Sequence, residues 1–236
     1  MKHIVRLALV LVLSCNALTH VEAAQKQPIE LSADSIDYDS TSSLMTAQGN
    51  VRIVQDNAVM TGTHAEYNNK TQEAYVTGGV RVVKEDATLL AAEVRSYENT
   101  HLVAIGDPIL TKGDSILTGP QIDYYSDKQY AIVTGWAKLT QPDSVMTADQ
   151  IESFFTDNRA VADGNVHIVS PARQMDATSD HAVYYGAQGA DGKTVLTGNA
   201  HAVQEGNVLT GDTMTLYLDK KTVDVQGRSK LVIIPQ

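Results

Sequence analysis

The chain has 236 residues, 43% of them hydrophobic, and carries 28 Asp and Glu against 18 Lys and Arg, a formal net charge of −10. A chain this acidic lacks the basic surface that nucleic-acid binding, or steering toward anionic membranes, requires. Its single cysteine, Cys15, excludes an intramolecular disulfide.

The first residues have the anatomy of an export signal. Lys2 and Arg6 supply a positive start, residues 7–13 a short apolar run, and Val21-Glu22-Ala23 a small-residue cleavage site. The expectation is a signal peptide over 1–23 and a mature domain over 24–236. A second reading stands beside it, because Val12-Leu13-Ser14-Cys15 loosely fits a lipoprotein signal in which Cys15 would carry the lipid. A third keeps the segment as an uncut anchor.

After residue 28 the chain alternates strand-like runs with turns. The first runs are 29–39 (IELSADSIDYD), 44–54 (LMTAQGNVRIV) and 58–68, divided by Asp39-Ser40-Thr41-Ser42-Ser43 and Gln55-Asp56-Asn57. Later turns fall at Asn68-Asn69-Lys70, Glu85-Asp86, Glu98-Asn99, Lys112-Gly113-Asp114, Asp127-Lys128 and Gln141-Pro142-Asp143. Others follow at Asp157-Asn158, Ser170-Pro171, Glu205-Gly206-Asn207 and Asp219-Lys220-Lys221. Polar clusters with Gly, Asn, Asp or Pro between β-rich runs are turns with a backbone mechanism. No stretch has a helical period, so about 14 antiparallel strands are predicted.

The runs repeat. A glycine recurs as Gly49, Gly78, Gly106, Gly135, Gly164, Gly198 and Gly227, at intervals of 29, 28, 29, 29, 34 and 29 residues. The long interval contains a glycine-rich loop at 186–192. A fixed period of this length marks a repeat architecture, here seven two-strand units of about 29 residues. Two and four residues after the glycines stand Val51/Ile53, Val80/Val82, Pro108/Leu110, Ala137/Leu139, Val166/Ile168, Ala200/Ala202 and Ser229/Leu231. Spacing by two puts each pair on one face of its strand. Between them lie Arg52, Arg81, Lys138 and Lys230 among others, which reads as a solvated face.

The second run of each unit carries a small residue: Ala33, Gly62, Ala92, Gly119, Ala148, Ser179 or Gly211. Five residues on stand Tyr38, Tyr67, Tyr97, Tyr124, Ser153, Tyr184 and Leu216. Small residues at matching depth predict a bend in every strand, so that the sheet folds along a crease around an apolar interior. Ile36, Ile122 and Ile151 would join the apolar columns on its wall. The ends of such a sheet are unpaired strand edges, open to strand addition. Acids near the crease (Asp34, Glu93, Asp149, Asp180, Asp212) are read as bonding locally at the bend. His167, His181 and His201 do not converge at zinc-ligand distance in the expected registers, so no metal is assigned. No nucleophile elbow, P-loop or paired-carboxylate cleft is present, and no enzymatic activity or cofactor is expected.

LSADSIDYD (31–39), TAQGNVRI (46–53), MTGTHAEYNNKT (60–71), YVTGGVRV (75–82), MTADQIESF (146–154), ADGNVHI (162–168) and LTGDTMTLY (209–217) carry a resemblance to the OstA-like/LptA family of lipopolysaccharide-transport proteins. The resemblance covers roughly 29–232. It implies an all-β, elongated antiparallel β-jellyroll, a folded β-taco trough, in the periplasm. It further implies that lipid A acyl chains lie inside against Val51, Ile53, Val80, Val82, Leu110, Leu139, Val166, Ile168, Ile36, Ile122 and Ile151. Partners would be an inner-membrane bitopic component and an outer-membrane component, with end-to-end self-association through the terminal strands. The large C-terminal barrel of the outer-membrane member is absent from this sequence. By pattern alone the same columns fit a structural or adaptor β-solenoid with a self-filled core, or a membrane-anchored partner in the same pathway.

Overall fold

The computed structural model describes residues 29–55, 57–98, 100–186, 192–217 and 222–234. The expected signal peptide over 1–23 with Cys15, residues 187–191 of the glycine-rich loop and the predicted Asp219-Lys220-Lys221 turn lie outside the described residues.

Eighteen strands are formed. In chain order they begin with β1 (Glu30–Ser32), β2 (Ser35–Asp39), β3 (Leu44–Gln55), β4 (Ala58–Asn68), β5 (Glu73–Lys84) and β6 (Ala87–Tyr97). Then come β7 (His101–Ile105), β8 (Ile109–Lys112), β9 (Ser115–Thr118), β10 (Gln121–Tyr125), β11 (Tyr130–Gln141) and β12 (Ser144–Phe154). The last are β13 (Arg159–Ser170), β14 (Met175–Tyr185), β15 (Lys193–Gln204), β16 (Asn207–Tyr217), β17 (Val223–Gln226) and β18 (Lys230–Val232). One 3-10 turn, Pro171–Arg173, is the only helical element among the described residues. The count exceeds the predicted 14 because four predicted runs are each cut in two. The cuts fall at Ala33-Asp34, Gly106-Asp107-Pro108, Gly119-Pro120 and Gly227-Arg228-Ser229, all crease positions. At the last three cuts, proline offers no N–H to a ladder or glycine weakens one, so pairing lapses there.

The chain divides into two compact units. One holds the residues through Gly113 together with Gln121–Gln129; the other holds Asp114–Pro120 and the chain from Tyr130 onward. In the first unit β1 and β2 both pair with β3, and β3 to β6 run as consecutive antiparallel hairpins. β6 then pairs with β7 along one half and β8 along the other, and β7 pairs with β10. Alternation sends Ala47, Val51, Ile53, Met60, Tyr67, Val76 and Val80 inward. Leu31 and Ile53, on one side of the crease, line a common cavity with Met45, Tyr67 and Val76 from the other. The sheet of this unit is therefore folded on itself.

In the second unit β11 pairs with β9 and β12, and the ladder continues strand by strand through β13, β14 and β15 to β16. β17 and β18 cover successive halves of β16. Ala131, Val133, Ile151, Ala162, Leu196 and Met214 are wholly buried between the two halves. Here the fold-over is tied by a polar contact as well. Arg173 Nη1, on the turn between β13 and β14, donates to the Tyr217 carbonyl at the far end of β16, 2.9 Å away.

Candidate functional site

The crease is built from a two-residue bulge. Between β11 and β12, Thr134 faces Gln150 and Ala137 faces Ala148, so Gly135 and Trp136 together oppose Asp149 alone. The same two-to-one count recurs between β3 and β4, β5 and β6, β13 and β14, and β15 and β16. A bulge of this kind bends its strand and sharpens the local twist. All seven column glycines have φ between 67° and 86°, and each following residue is also in the left-handed region. That follower is Asn50, Gly79, Asp107, Trp136, Asn165, Asn199 or Arg228.

The crease acids bond across strands rather than to their own bend. Asn50 Nδ2 donates to Asp34, Asn165 Nδ2 to Asp149 at 2.8 Å and Asn199 Nδ2 to Asp180 at 2.8 Å. At the last crease Arg228 takes the place of asparagine and grips Asp212 through Nε and Nη2, which raises the Arg228 pKa. This Gly-Asn with its upstream Asp was missed in the sequence, although three Gly-Asn dipeptides in one column were visible.

One register assignment is corrected. Val80 pairs with Ala91, which puts Ala91 in the small-residue position and Ala92 in the acid position. Glu93 accordingly leaves the crease and bonds Tyr75 and Arg95. Ser96, not Tyr97, then points inward, and its hydroxyl is buried without a hydrogen-bond partner.

Of the predicted wall, Val51, Ile53, Val80, Val82, Leu139, Val166, Ile168, Ile122 and Ile151 are all buried on inward faces. Leu110 is half-buried. Ile36 is 46% exposed, because β2 pairs with β3 alone among the described strands and no neighbour covers its other side. Arg52, Arg81, Lys138 and Lys230 are exposed, as a solvated face requires. His64, His101, His167 and His181 each pair with a single carboxylate, Glu66, Asp123, Asp176 and Asp163 respectively. Among the described residues no group of three metal-ligating side chains converges.

One cavity in the first unit, lined by Leu31, Met45, Ile53, Tyr67 and Val76 among others, is about 20 Å³, with room for about one water. One in the second unit is about 380 Å³. Met146, Ile168, Met175 and Leu216 form its buried floor, Ser170, Arg173 and Thr194 add buried polar groups, and Asp114, Pro142 and Asp143 stand exposed at its mouth. Arg173 has no signal in the sequence, where a turn arginine has no distinguishing pattern.

Antiparallel hairpins creased by glycine bulges around an apolar interior define an all-β fold in which the sheet of each unit folds on itself. The sequence matches the family described as LptA/(LptD N-terminal domain) LPS transport protein over residues 60–159 and 128–222. It also matches the family of OstA-like proteins over residues 13–105. The chain belongs to the LptA/LptD N-terminal-domain family of lipopolysaccharide-transport proteins. Among solved structures it is similar to LptH of Pseudomonas aeruginosa, described as the LptA homologous periplasmic component of the conserved lipopolysaccharide transport device. The identity is 15%, covering 89% of this chain and 96% of that one, with a TM-score of 0.19. No curated protein matches the chain.

Proposed function

We propose that this chain is a periplasmic carrier and bridge for lipopolysaccharide, which shields lipid A acyl chains in its apolar interior without covalent chemistry or a cofactor. The observation that carries the reading is the cavity of the second unit, whose floor of Met146, Ile168, Met175 and Leu216 is apolar and buried. Each methylene withdrawn from water contributes about 0.8 kcal/mol, so one 14-carbon chain gains on the order of 10 kcal/mol relative to water. An exposed charge contact contributes about 1 kcal/mol or less. Acyl burial therefore dominates, which is how an acidic protein holds an anionic lipid. Against a membrane origin the gain nearly cancels, so direction of transfer comes from the partners.

Bridging rests on the chain ends. Ile36 and Tyr38 on β2 are exposed, as are Leu231, Val232, Ile233 and Ile234 on and after β18. Apolar side chains on strands with a single partner among the described residues suit strand addition by the inner- and outer-membrane components or by a second copy. A second reading, a self-filled structural solenoid, is favoured by the first unit, where the cavity lined by Leu31, Ile53 and Val76 is only about 20 Å³.

Site-specific photo-crosslinking separates the two. Probes at Ile168, Leu139, Ile53 and Val82 capture lipopolysaccharide under the carrier reading, whereas probes at the exposed Arg81 and Lys138 do not. Equal capture at both sets, or capture at neither, sinks the carrier.

A further inference from the structure

We propose that one margin of the second unit binds an anionic saccharide on its outer face, through Phe154, Arg159, Tyr185 and Lys193. The inference rests on the carrier reading and assigns a place to the sugar part of a glycolipid whose acyl chains lie inside.

The four residues stand on four consecutive strands. Phe154 on β12 pairs with Arg159 on β13, Arg159 with Tyr185 on β14, and Tyr185 with Lys193 on β15. Ala160 and Thr194, the next residues along β13 and β15, are buried on the inward face, so the row points outward. With strands about 4.8 Å apart, it runs about 14 Å. Rings and cations alternate along it. Arg159 Cζ lies 3.9 Å from the centroid of the Phe154 ring, and Lys193 Nζ 5.6 Å from that of Tyr185.

The fold does not demand this row. At the corresponding hairpin ends of the first unit, Asp39, Leu44, Asn68 and Glu73 stand in register, with neither a ring nor a cation among them. Those hairpins form equally well. The ring and cation row is therefore an addition to a fold that stands without it.

The row is also positive, in a protein whose net charge is −10. The carboxylate that approaches it is Asp157, 3.9 Å from Arg159 and with its side chain 60% exposed. That contact is beyond hydrogen-bond length and screened by water, so it neutralises the guanidinium little. A ring face attracts a cation through its quadrupole and orients it without cancelling its charge. Arg159 and Lys193 are thus positioned and still cationic. Arg159 can offer a phosphate or carboxylate two parallel N–H bonds, and Lys193 offers a point charge.

The rings suit the rest of such a ligand. Tyr185 is 40% exposed, and the C–H face of a pyranose packs against the negative face of an aromatic ring. The next outward row, Ile132, Glu152, Val161, Val183 and Val195, is half-buried and carries a single charge. A small inorganic anion would use the cations alone, whereas a saccharide bearing anionic groups uses rings and cations together. The row also adjoins the cavity. Tyr184 and Thr194 line that cavity, and Tyr185 and Lys193, their immediate neighbours in the chain, face the other way. A glycolipid with its chains in the cavity has its sugars within reach of the row where they pass over the margin.

The test uses the full chain and three probes: the phosphorylated saccharide of lipopolysaccharide after complete de-acylation, the same saccharide after phosphatase treatment, and inorganic phosphate. Affinities are measured calorimetrically for the wild type, R159Q/K193Q, Y185S and K138Q, the last an exposed cation outside the row. The wild type is expected to bind the phosphorylated saccharide about tenfold more tightly than the dephosphorylated one, with no measurable affinity for inorganic phosphate. R159Q/K193Q should weaken the phosphorylated saccharide by about tenfold and abolish the preference, while K138Q stays within about twofold of wild type. Y185S should weaken both saccharides alike. Unchanged affinity in R159Q/K193Q, or equal affinity of the wild type for the two saccharides, would overturn the proposal. Inorganic phosphate bound as tightly as the saccharide would reduce the row to an anion site and overturn the saccharide. If the wild type binds neither saccharide while the Ile168 probe still captures lipopolysaccharide, this inference falls and the carrier stands. If the row binds saccharide as expected and the Ile168 probe captures nothing, the carrier falls and the row stands. Should R159Q/K193Q not fold by circular dichroism, the wild-type preference for the phosphorylated saccharide decides, and its absence overturns the proposal.

Discussion

Asn165 donates its side-chain amide to the Asp149 carboxylate at 2.8 Å, across the crease from β13 to β12 and beside Gly164. The relationship joins two demands that a bent strand makes. The bulge needs two consecutive residues in the left-handed region, which glycine enters freely and asparagine tolerates better than most. The strand before it lends an acid, whose carboxylate fills the space where a side chain on Gly164 would stand. Asp34 with Asn50 and Asp180 with Asn199 repeat the arrangement, so three of the seven creases share this local chemistry.

That arrangement makes Gly164 dearer to replace than an ordinary left-handed glycine. Gly164→Ala meets both the backbone penalty and a collision with Asp149. Gly206→Ala, at φ 83° with nothing within 4 Å of the added methyl, meets the penalty alone. We expect about 1–2 kcal/mol lost for the Gly206 change and at least about 1 kcal/mol more for the Gly164 change, read as shifts in urea midpoint. In an Asp149→Ala background the excess should shrink; an excess that persists undiminished would show that Asp149 is not its cause.

Much of this fold was legible because its period was. Val51/Ile53 and Val166/Ile168 alternate with polar neighbours, and alternation reports burial directly. The crease was legible as a column of glycines, but its partner residues were not. The sequence does not separate Ala91 from Ala92 as the small residue, since alanine is equally at home at both, and only the Val80–Ala91 pairing fixes the register. Ile36 was read as buried because its own strand alternates correctly; what was missing was a neighbour, which no property of residues 35–39 records. Arg173 illustrates a further limit. Its burial depends on Tyr217, 44 residues away, brought near by the fold-over rather than by any local pattern.

The contrast between a filled core and a ligand cavity can be tested by adding bulk at two buried isoleucines of the second unit. Ile168 lines the cavity, so Ile168→Trp projects into space that already exists. Ile151 is wholly buried and lines neither cavity, so Ile151→Trp must displace packed neighbours. Overpacking costs about 1–3 kcal/mol, so the Ile151 variant should lose stability by that amount while the Ile168 variant loses less than about 1 kcal/mol. The Ile168 variant should nevertheless lose most of its affinity for dodecyl amphiphiles. Full retention of binding in Ile168→Trp would show that the cavity is not where the chain lies.

The C-terminal edge offers a test of assembly that leaves the interior untouched. Leu231 and Ile233 are 57% and 67% exposed, and β18 pairs only with β16 among the described strands. Charged residues on an edge oppose strand addition. Leu231→Lys with Ile233→Lys should therefore reduce concentration-dependent oligomers in light scattering while leaving the thermal midpoint within about 2 °C, as expected of exposed sites. Oligomers of unchanged size and concentration dependence would exclude this edge from the contact.

Burial within the first unit can be read from the titration of one phenol. Tyr124 on β10 packs opposite Leu102 and is buried, and burial raises its pKa from 10.0 to about 12, with Gln129 pulling slightly the other way. The sign of the linkage follows from where the proton sits. Below pH 10 the phenol is neutral in both folded and unfolded chains and contributes no pH dependence. Between pH 10 and about 12 the unfolded chain releases this proton while the folded chain retains it, so stability falls as pH rises through that window. Tyr124→Phe has no proton to lose. Its offset from wild type at neutral pH reflects the missing hydroxyl, so the informative quantity is how the offset changes with pH. We expect the wild type to lose stability relative to Tyr124→Phe on going from pH 9 toward pH 12, measured by chemical denaturation. A difference that stays constant across that range would mean the phenol ionises as readily in the folded protein as in the unfolded chain, and hence that water reaches Tyr124.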